Sequence, residues 1–400
     1  MRLVEAIFWG KIIIKFVLGA FVFLILLTIV LSQFKQEVPL TSVFIADNAC
    51  GVIPELKLPE LSVDYSQANV SLVVQQEIYK DMPPIAYVYK VNLQGETFTT
   101  KQKAFLIADK FKFQTNEYTK PKDTIYQWKD NRRTLIFDTS NLNFYYTLLP
   151  VALPPVPNPD IPPISSAKQL AIDAYNEIQP STNNKIYSFM VDLLPDNKDN
   201  EVDSLEQARA IRVDFQREIT ALRYPLFLLD TQYREKHVGE KVDFLQYYDL
   251  AEGDGVTVYN VNTVAEAPFL GGSQVYIVSK YKNGLDNVGR FRFSNWKLEE
   301  KPCGTYEIIS PKQAFSLVQA HSAKVSYMYL WGGNRLSPIS SGTLKKVTIT
   351  NIYLAYYQPK EQLPYLQPIY VIEGDGFLET GEHVGVFYYI QAIKRDYPVQ

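Results

Sequence analysis

Five ionisable side chains crowd into one short stretch near the end of a 400-residue chain. They are Glu373, Asp375, Glu379, Glu382 and His383, within "YVIEGDGFLETGEHVG". Two carboxylates beside a turn can work as an acid/base pair, with their separation setting the mechanism. The same letters also have a structural reading. Gly-Asp-Gly supplies positive φ for a tight turn, and the runs on either side are rich in β-branched and aromatic strand residues. The spacing therefore predicts Gly374, Asp375 and Gly376 as a structural turn between two strands, and no catalytic residue is assigned.

Other chemistry leaves little trace. The chain has no Gly-x-Ser-x-Gly, no His-Glu-x-x-His, no phosphate loop and no Gly-x-Gly-x-x-Gly. Two cysteines and three histidines, far apart in sequence, give no zinc-ligand spacing. Asp196, Asp199 and Asp203 in "PDNKDNEVD" lack the alternating ligands and central glycine of a calcium loop. No metal and no cofactor is expected. Cys50 and Cys303 are permitted to form a disulfide outside the cytoplasm, with two buried free thiols as the alternative. Asn69-Val-Ser71 fits a glycosylation sequon.

The elements that must position such residues begin after residue 35. Residues 16–32 carry no charge, and the apolar run 12–34 is long enough to cross a ~30 Å hydrocarbon core as a helix. Arg2, Lys11 and Lys15 precede or flank it, so the N-terminus is expected in the cytoplasm and the bulk outside the cell membrane, on a single-pass anchor in the lipid bilayer. The formal charge of −3 carries no basic stripe and argues against nucleic acid. The 28 tyrosines lean toward β-rich structure with contact surfaces.

Four segments share a helix-start pattern, a Ser or Thr followed three residues later by Gln: Thr99/Gln102, Ser166/Gln169, Ser204/Gln207 and Ser310/Gln313. The first and last precede strand-like runs, "TIYQWK", "RTLIFD" and "NFYYTL" in one case, "VSYMYLW", "KKVTITNIYLAYYQ", "LQPIYVIEG" and "HVGVFYYIQAI" in the other. The expected fold is α+β: an N-terminal transmembrane helix, then duplicated modules of a short helix packed on an antiparallel β-meander. "LPVALPPVPNPDIPP" holds seven prolines and reads as a spacer. The domains expected are 1–35 as stub and anchor, 36–150 as an N-terminal α+β domain, 151–163 as linker, and 164–400 as a C-terminal α+β region.

The C-terminal motifs carry a resemblance. "CGTYEIISPKQAFSLVQAHSAKV", "VTITNIYLAYYQP" and "YLQPIYVIEGDG" resemble the closing module, about 305–395, of extracytoplasmic regulatory proteins of the YycH/YycI-like and PepSY-like group. The matching positions are Ser310, Gln313, Ala314, Tyr356, Tyr357, Pro368, Tyr370 and Gly374. The resemblance implies a membrane-anchored, non-enzymatic regulator or scaffold that binds envelope or membrane proteins, a sensor histidine kinase or a peptidase among them. A cell-envelope hydrolase using the acids near the C-terminal hairpin is the alternative.

Overall fold

The computed structural model describes Val17 and residues 43–73, 82–92, 95–180, 184–193, 199–230, 233, 239–281, 284–294 and 296–394. The chain divides into two units. The first, Met1–Val43 with Phe227–Glu240, is described mainly at a turn in which the Asp230 N–H donates to the Phe227 carbonyl at 3.0 Å. The second, Phe44–Leu226 with Lys241–Gln400, holds everything that follows.

In chain order it contains β1 (Ser62–Asp64), β2 (Asn69–Leu72), β3 (Ile85–Lys90) and helix α1 (Phe98–Lys110). A meander follows: β4 (Thr119–Lys122), β5 (Ile125–Lys129), β6 (Arg133–Asp138) and β7 (Asn143–Leu148). Next come α2 (Ile164–Ile178), β8 (Asn184–Leu193), β9 (Asp199–Glu201), β10 (Ala210–Pro225), β11 (Val256–Val264), β12 (Ser273–Ile277) and β13 (Val288–Phe293). The last part is β14 (Gly304–Glu307), α3 (Pro311–Gln319), β15 (Val325–Leu330), β16 (Ser341–Tyr357), β17 (Tyr365–Leu366), β18 (Pro368–Leu378) and β19 (His383–Gln391).

Sixteen strands form one hydrogen-bonded network, with the main order β15-β19-β18-β16-β11-β10-β12-β13-β7-β6-β5-β4. β1 and β2 join β16 in parallel, and β8 flanks β10. β14, β3 and β17 make a separate small sheet. Two long strands, β10 and β16, link the parts. β10 pairs with β8 and β12 along its first half and β11 along its second, with a register shift between Thr220 and Leu222. Such a shift bends a strand and increases its local twist.

The expected α+β fold of an anchor and duplicated modules is therefore corrected. The fold is β-rich, with three α-helices among the described residues. After α1 the strands do run as a meander, but after α3 the order is β16-β18-β19-β15, so β15 and β16 do not pair. No helix among the described residues is long and apolar enough to cross a membrane. The run 12–34, where the single-pass anchor was expected, lies outside the described residues apart from Val17.

The helix-start pattern holds in one case of four. Ser310 caps α3, with the Gln313 N–H donating to Ser310 Oγ at 3.2 Å and the Ser310 N–H to Gln313 Oε1 at 2.8 Å. α1 starts two residues early, on a Thr97/Thr100 box, because Thr100 offers a hydroxyl where Gln102 was expected to reach back. α2 begins after Pro163 with no side-chain cap. Ser204–Gln207 is a turn, and the residues after it form β10. Alternation explains why: Ile211, Val213 and Phe215 face one side, and Arg212, Asp214 and Gln216 the other.

The proline-rich run is not a free spacer. The buried Asn158 Nδ2 donates to the carbonyls of Val278 (2.8 Å) and Arg209 (2.9 Å), and strand β7 before the run pairs with β13 after it. α1 and α2, from either side of the run, close over one core: Ala104, Ile107, Ala108 and Phe111 share it with Ala167, Ala171 and Ala174.

Candidate functional site

The Gly-Asp-Gly corner is a strand. Gly374, Asp375 and Gly376 lie inside β18, paired with Ile349, Thr348 and Val347 on one side and Val386, Gly385 and Val384 on the other. Glycine serves close approach here. A Cβ at Gly374 would sit 2.8 Å from the Thr348 carbonyl oxygen, and one at Gly376 2.9 Å from Leu344 Cδ2. The reversal comes later, where Gly381 has φ +91° and the Leu378 N–H donates to the Glu382 carbonyl at 3.0 Å.

Three of the four acids around it are held one by one. Glu373 accepts from the Tyr353 hydroxyl at 2.8 Å and from Asn351 Nδ2 at 3.4 Å. Burial, and then the Glu373 charge, hold the Tyr353 hydroxyl well above its ordinary value. Asp375 accepts from Trp331 Nε1 at 3.0 Å. Glu382 accepts from Thr380 at 2.7 Å. His383, with Nε2 4.0 Å from Asp375, lies between the rings of Phe377 (centroids 4.8 Å, planes 10° apart) and Trp331 (5.3 Å, 19°). Trp331 is 52% exposed and Phe377 43%. Three adjacent elements thus present an ordered stack of rings to solvent. Among the described residues no cluster of His, Cys, Asp and Glu can hold a metal ion.

Further in, the polar face of β10, β12 and β13 holds a buried ion network that sequence reasoning missed. Arg212 donates to both oxygens of Asp214, at 2.6 and 2.9 Å, and to Asp199 at 2.9 Å. Arg290 donates to the other Asp199 oxygen at 2.7 Å, and the Tyr276 hydroxyl also donates to Asp199. Asp214 further accepts from the Gly271 N–H at 3.1 Å. Burial opposes charge on Arg212, but Asp214, Tyr276 and Asp199 outweigh it and raise its pKa. Asp199, from the acidic stretch "PDNKDNEVD", lies in β9 at the centre of this network. The available signal was the alternation of "IRVDFQ".

A cleft of about 390 Å³ opens beside the network. Arg292, which donates to Gln274 Oε1 at 3.0 Å, lines it with Tyr145, Gln358, Lys360, Glu266 and the Gly271-Gly272 pair. A Cβ at Gly272 would lie 2.7 Å from Gln358 Nε2, so glycine lets that amide reach the wall. Guanidinium, amide and ammonium groups can hold a polar group by hydrogen bonds, and no histidine or cysteine among the described residues lines the cleft.

Cys50 and Cys303, 253 positions apart in sequence, are joined, with Cα atoms 5.4 Å apart. The bond packs with Ile53, Val88, Tyr306 and Ile393 and fastens the N-terminal arm to the small sheet. Beside it the Asp47 carboxylate accepts from the Thr305 N–H at 2.8 Å. Asn69 of the sequon is the exposed first residue of β2.

No family model matches the chain, and no curated protein matches it. Among solved structures, an uncharacterized protein from Eubacterium rectale ATCC 33656 aligns at 10% identity over 83% of this chain and 90% of that chain, with a TM-score of 0.37. A likeness of that size carries neither fold nor function. These findings do not bear on the YycH/YycI-like and PepSY-like resemblance.

Proposed function

We propose that this chain is a non-enzymatic binding protein of an oxidising compartment outside the cytoplasm, a regulator or scaffold that engages an envelope protein through the aromatic edge of its C-terminal sheet. The observation that carries the reading is the exposed Phe377–His383–Trp331 stack. Large rings already ordered by a sheet give up little entropy when a partner covers them, and Trp is prominent among interface residues of high energetic weight. The neighbouring acids support the same reading, since Glu373 and Asp375 are engaged separately by Tyr353 and Trp331. The disulfide supports the compartment.

The test compares Trp331→Ala and Phe377→Ala with Asp375→Asn, all shown by circular dichroism to fold. After cross-linking in the host envelope fraction, the two ring variants are expected to lose a protein that the parent captures, and Asp375→Asn to keep it. Purified parent protein that hydrolyses wall polymer, with the activity abolished in folded Asp375→Asn or Glu373→Gln, would overturn the proposal in favour of a hydrolase.

A further inference from the structure

A second cavity, about 430 Å³, lies where the end of α1 and the end of α2 meet the ends of β6, β7 and β13. That volume is within the usual range for small-molecule sites. Its floor is apolar. Ile107, Phe137, Phe144 and Phe293 all belong to the buried core and show one side to the cavity. Leu106, 54% exposed, extends the apolar wall to the mouth.

The polar part of the lining has one sign. Lys103, Lys110, Arg217 and Lys297 reach the cavity, and no Asp or Glu among the described residues lines it. Four cations around one mouth, in a chain of net charge −3, make a local field opposite to that of the whole molecule. Structural duties use only part of this set. Lys110 Nζ donates to the Glu177 carbonyl in the last turn of α2, and Arg217 Nη1 donates to the Trp296 carbonyl at 3.0 Å. The other guanidinium N–H groups of Arg217 have no carboxylate partner among the described residues, and neither do Lys103 and Lys297.

Trp296 adds an independent observation. It lines the same cavity, is 1% exposed, and its indole N–H has no hydrogen-bond partner among the described residues. A buried donor left unpaired lowers stability, and such groups are few in native proteins.

We infer that this cavity is a binding site for a small amphipathic carboxylate, an acyl chain with an anionic head. The chain lies on the Phe137, Phe144 and Phe293 floor, and the head accepts from the lysine and arginine donors at the mouth. An apolar alcohol uses only the floor, and a small inorganic anion only the mouth, so neither matches both halves of the lining. The inference is independent of the aromatic edge on the C-terminal sheet.

Isothermal titration of the intact chain tests it, with sodium decanoate as probe and decanol and inorganic phosphate as controls. Decanoate is expected to bind saturably, and both controls to bind at least about tenfold more weakly. In Arg217→Gln with Lys103→Gln, both at the exposed mouth, decanoate affinity is expected to fall about tenfold or more, because hydrogen bonds to charged groups are lost. Equal binding of decanol and decanoate overturns the role of the cations. Phosphate displacing decanoate at equal concentration overturns the role of the floor. Absence of saturable decanoate binding below about 1 mM overturns the site itself.

Discussion

On one face of β10, Ile211, Val213 and Phe215 share a core with Ala167, Ala171 and Ala174 of α2. On the other face of the same strand, Arg212 and Asp214 hold each other and Asp199. Both faces are buried, but by different physics. The helix side rests on contact area and close packing, where small alanines let α2 approach the sheet. The ionic side offsets desolvation only while every partner is present. The two should therefore fail differently. The helix side should tolerate substitution in proportion to volume, whereas the ionic side should lose much of its stabilisation at a single change and recover only when the partners are removed together.

The largest effect is expected at Asp214. Asp214→Asn keeps the shape and removes the charge, leaving Arg212 with Asp199 alone. Breaking a buried pair in this way lowers stability by about 3–5 kcal/mol, which urea unfolding will read. Arg212→Met with Asp214→Leu should recover most of that loss, because Asp199 keeps Arg290. A double variant as unstable as the single one would show that the network's role is not one of mutual compensation.

A smaller effect is expected on the helix side. Ala171 is fully buried, and Ala171→Leu adds volume where α2 meets the sheet. Overpacking of this kind lowers stability by about 1–3 kcal/mol. A loss as large as that of Asp214→Asn in the same unfolding measurement would remove the contrast between the faces.

The smallest effect is at alkaline pH, and each face supplies a tyrosine. Burial is the main cause that raises Tyr276 on the ionic side and Tyr175 on the helix side. The fold holds both phenols neutral. Their contribution is thus fully present below the unfolded value of about 10 and is lost as pH rises through the raised folded value. Tyr276→Phe and Tyr175→Phe should each flatten part of that alkaline decline in thermal melts followed from neutral to alkaline pH. An unchanged slope in both would show that these phenols do not titrate with unfolding.

Some of this was open to reading from the sequence. The runs "RTLIFD" and "NFYYTL" coincide with β6 and β7, because alternation and flanking turn residues mark a half-buried strand locally. Ser310 and Gln313 form the expected cap for the same reason: every atom involved lies within one helical turn. β10 was hidden by a competing signal. Ser204/Gln207 imitates a helix start, and the six-residue alternation after it decided the outcome. Gly374 and Gly376 were ambiguous in principle, since glycine serves both positive φ and close approach, and only the position of Thr348 and Leu344 distinguishes the two. The ion network depends on partners distant in sequence, Asp199 and Arg290 being 91 residues apart, so no local pattern joins them.

The pairing of β2 with β16 has a consequence for how the chain is made. Ser71 meets Thr348, 277 residues later. At a synthesis rate of roughly 5–20 residues per second, the early strand emerges roughly 15–55 s before the surface it must join. During that interval β1 and β2 are unpaired edges, open to the wrong neighbour. Asp64 and Asn69, polar and exposed at these strands, suit such a wait. The beginning of the β-rich unit is thus among the last parts to reach its place, and a nascent chain stalled before residue 341 should remain sensitive to protease in its first strands while the α1 meander is already protected.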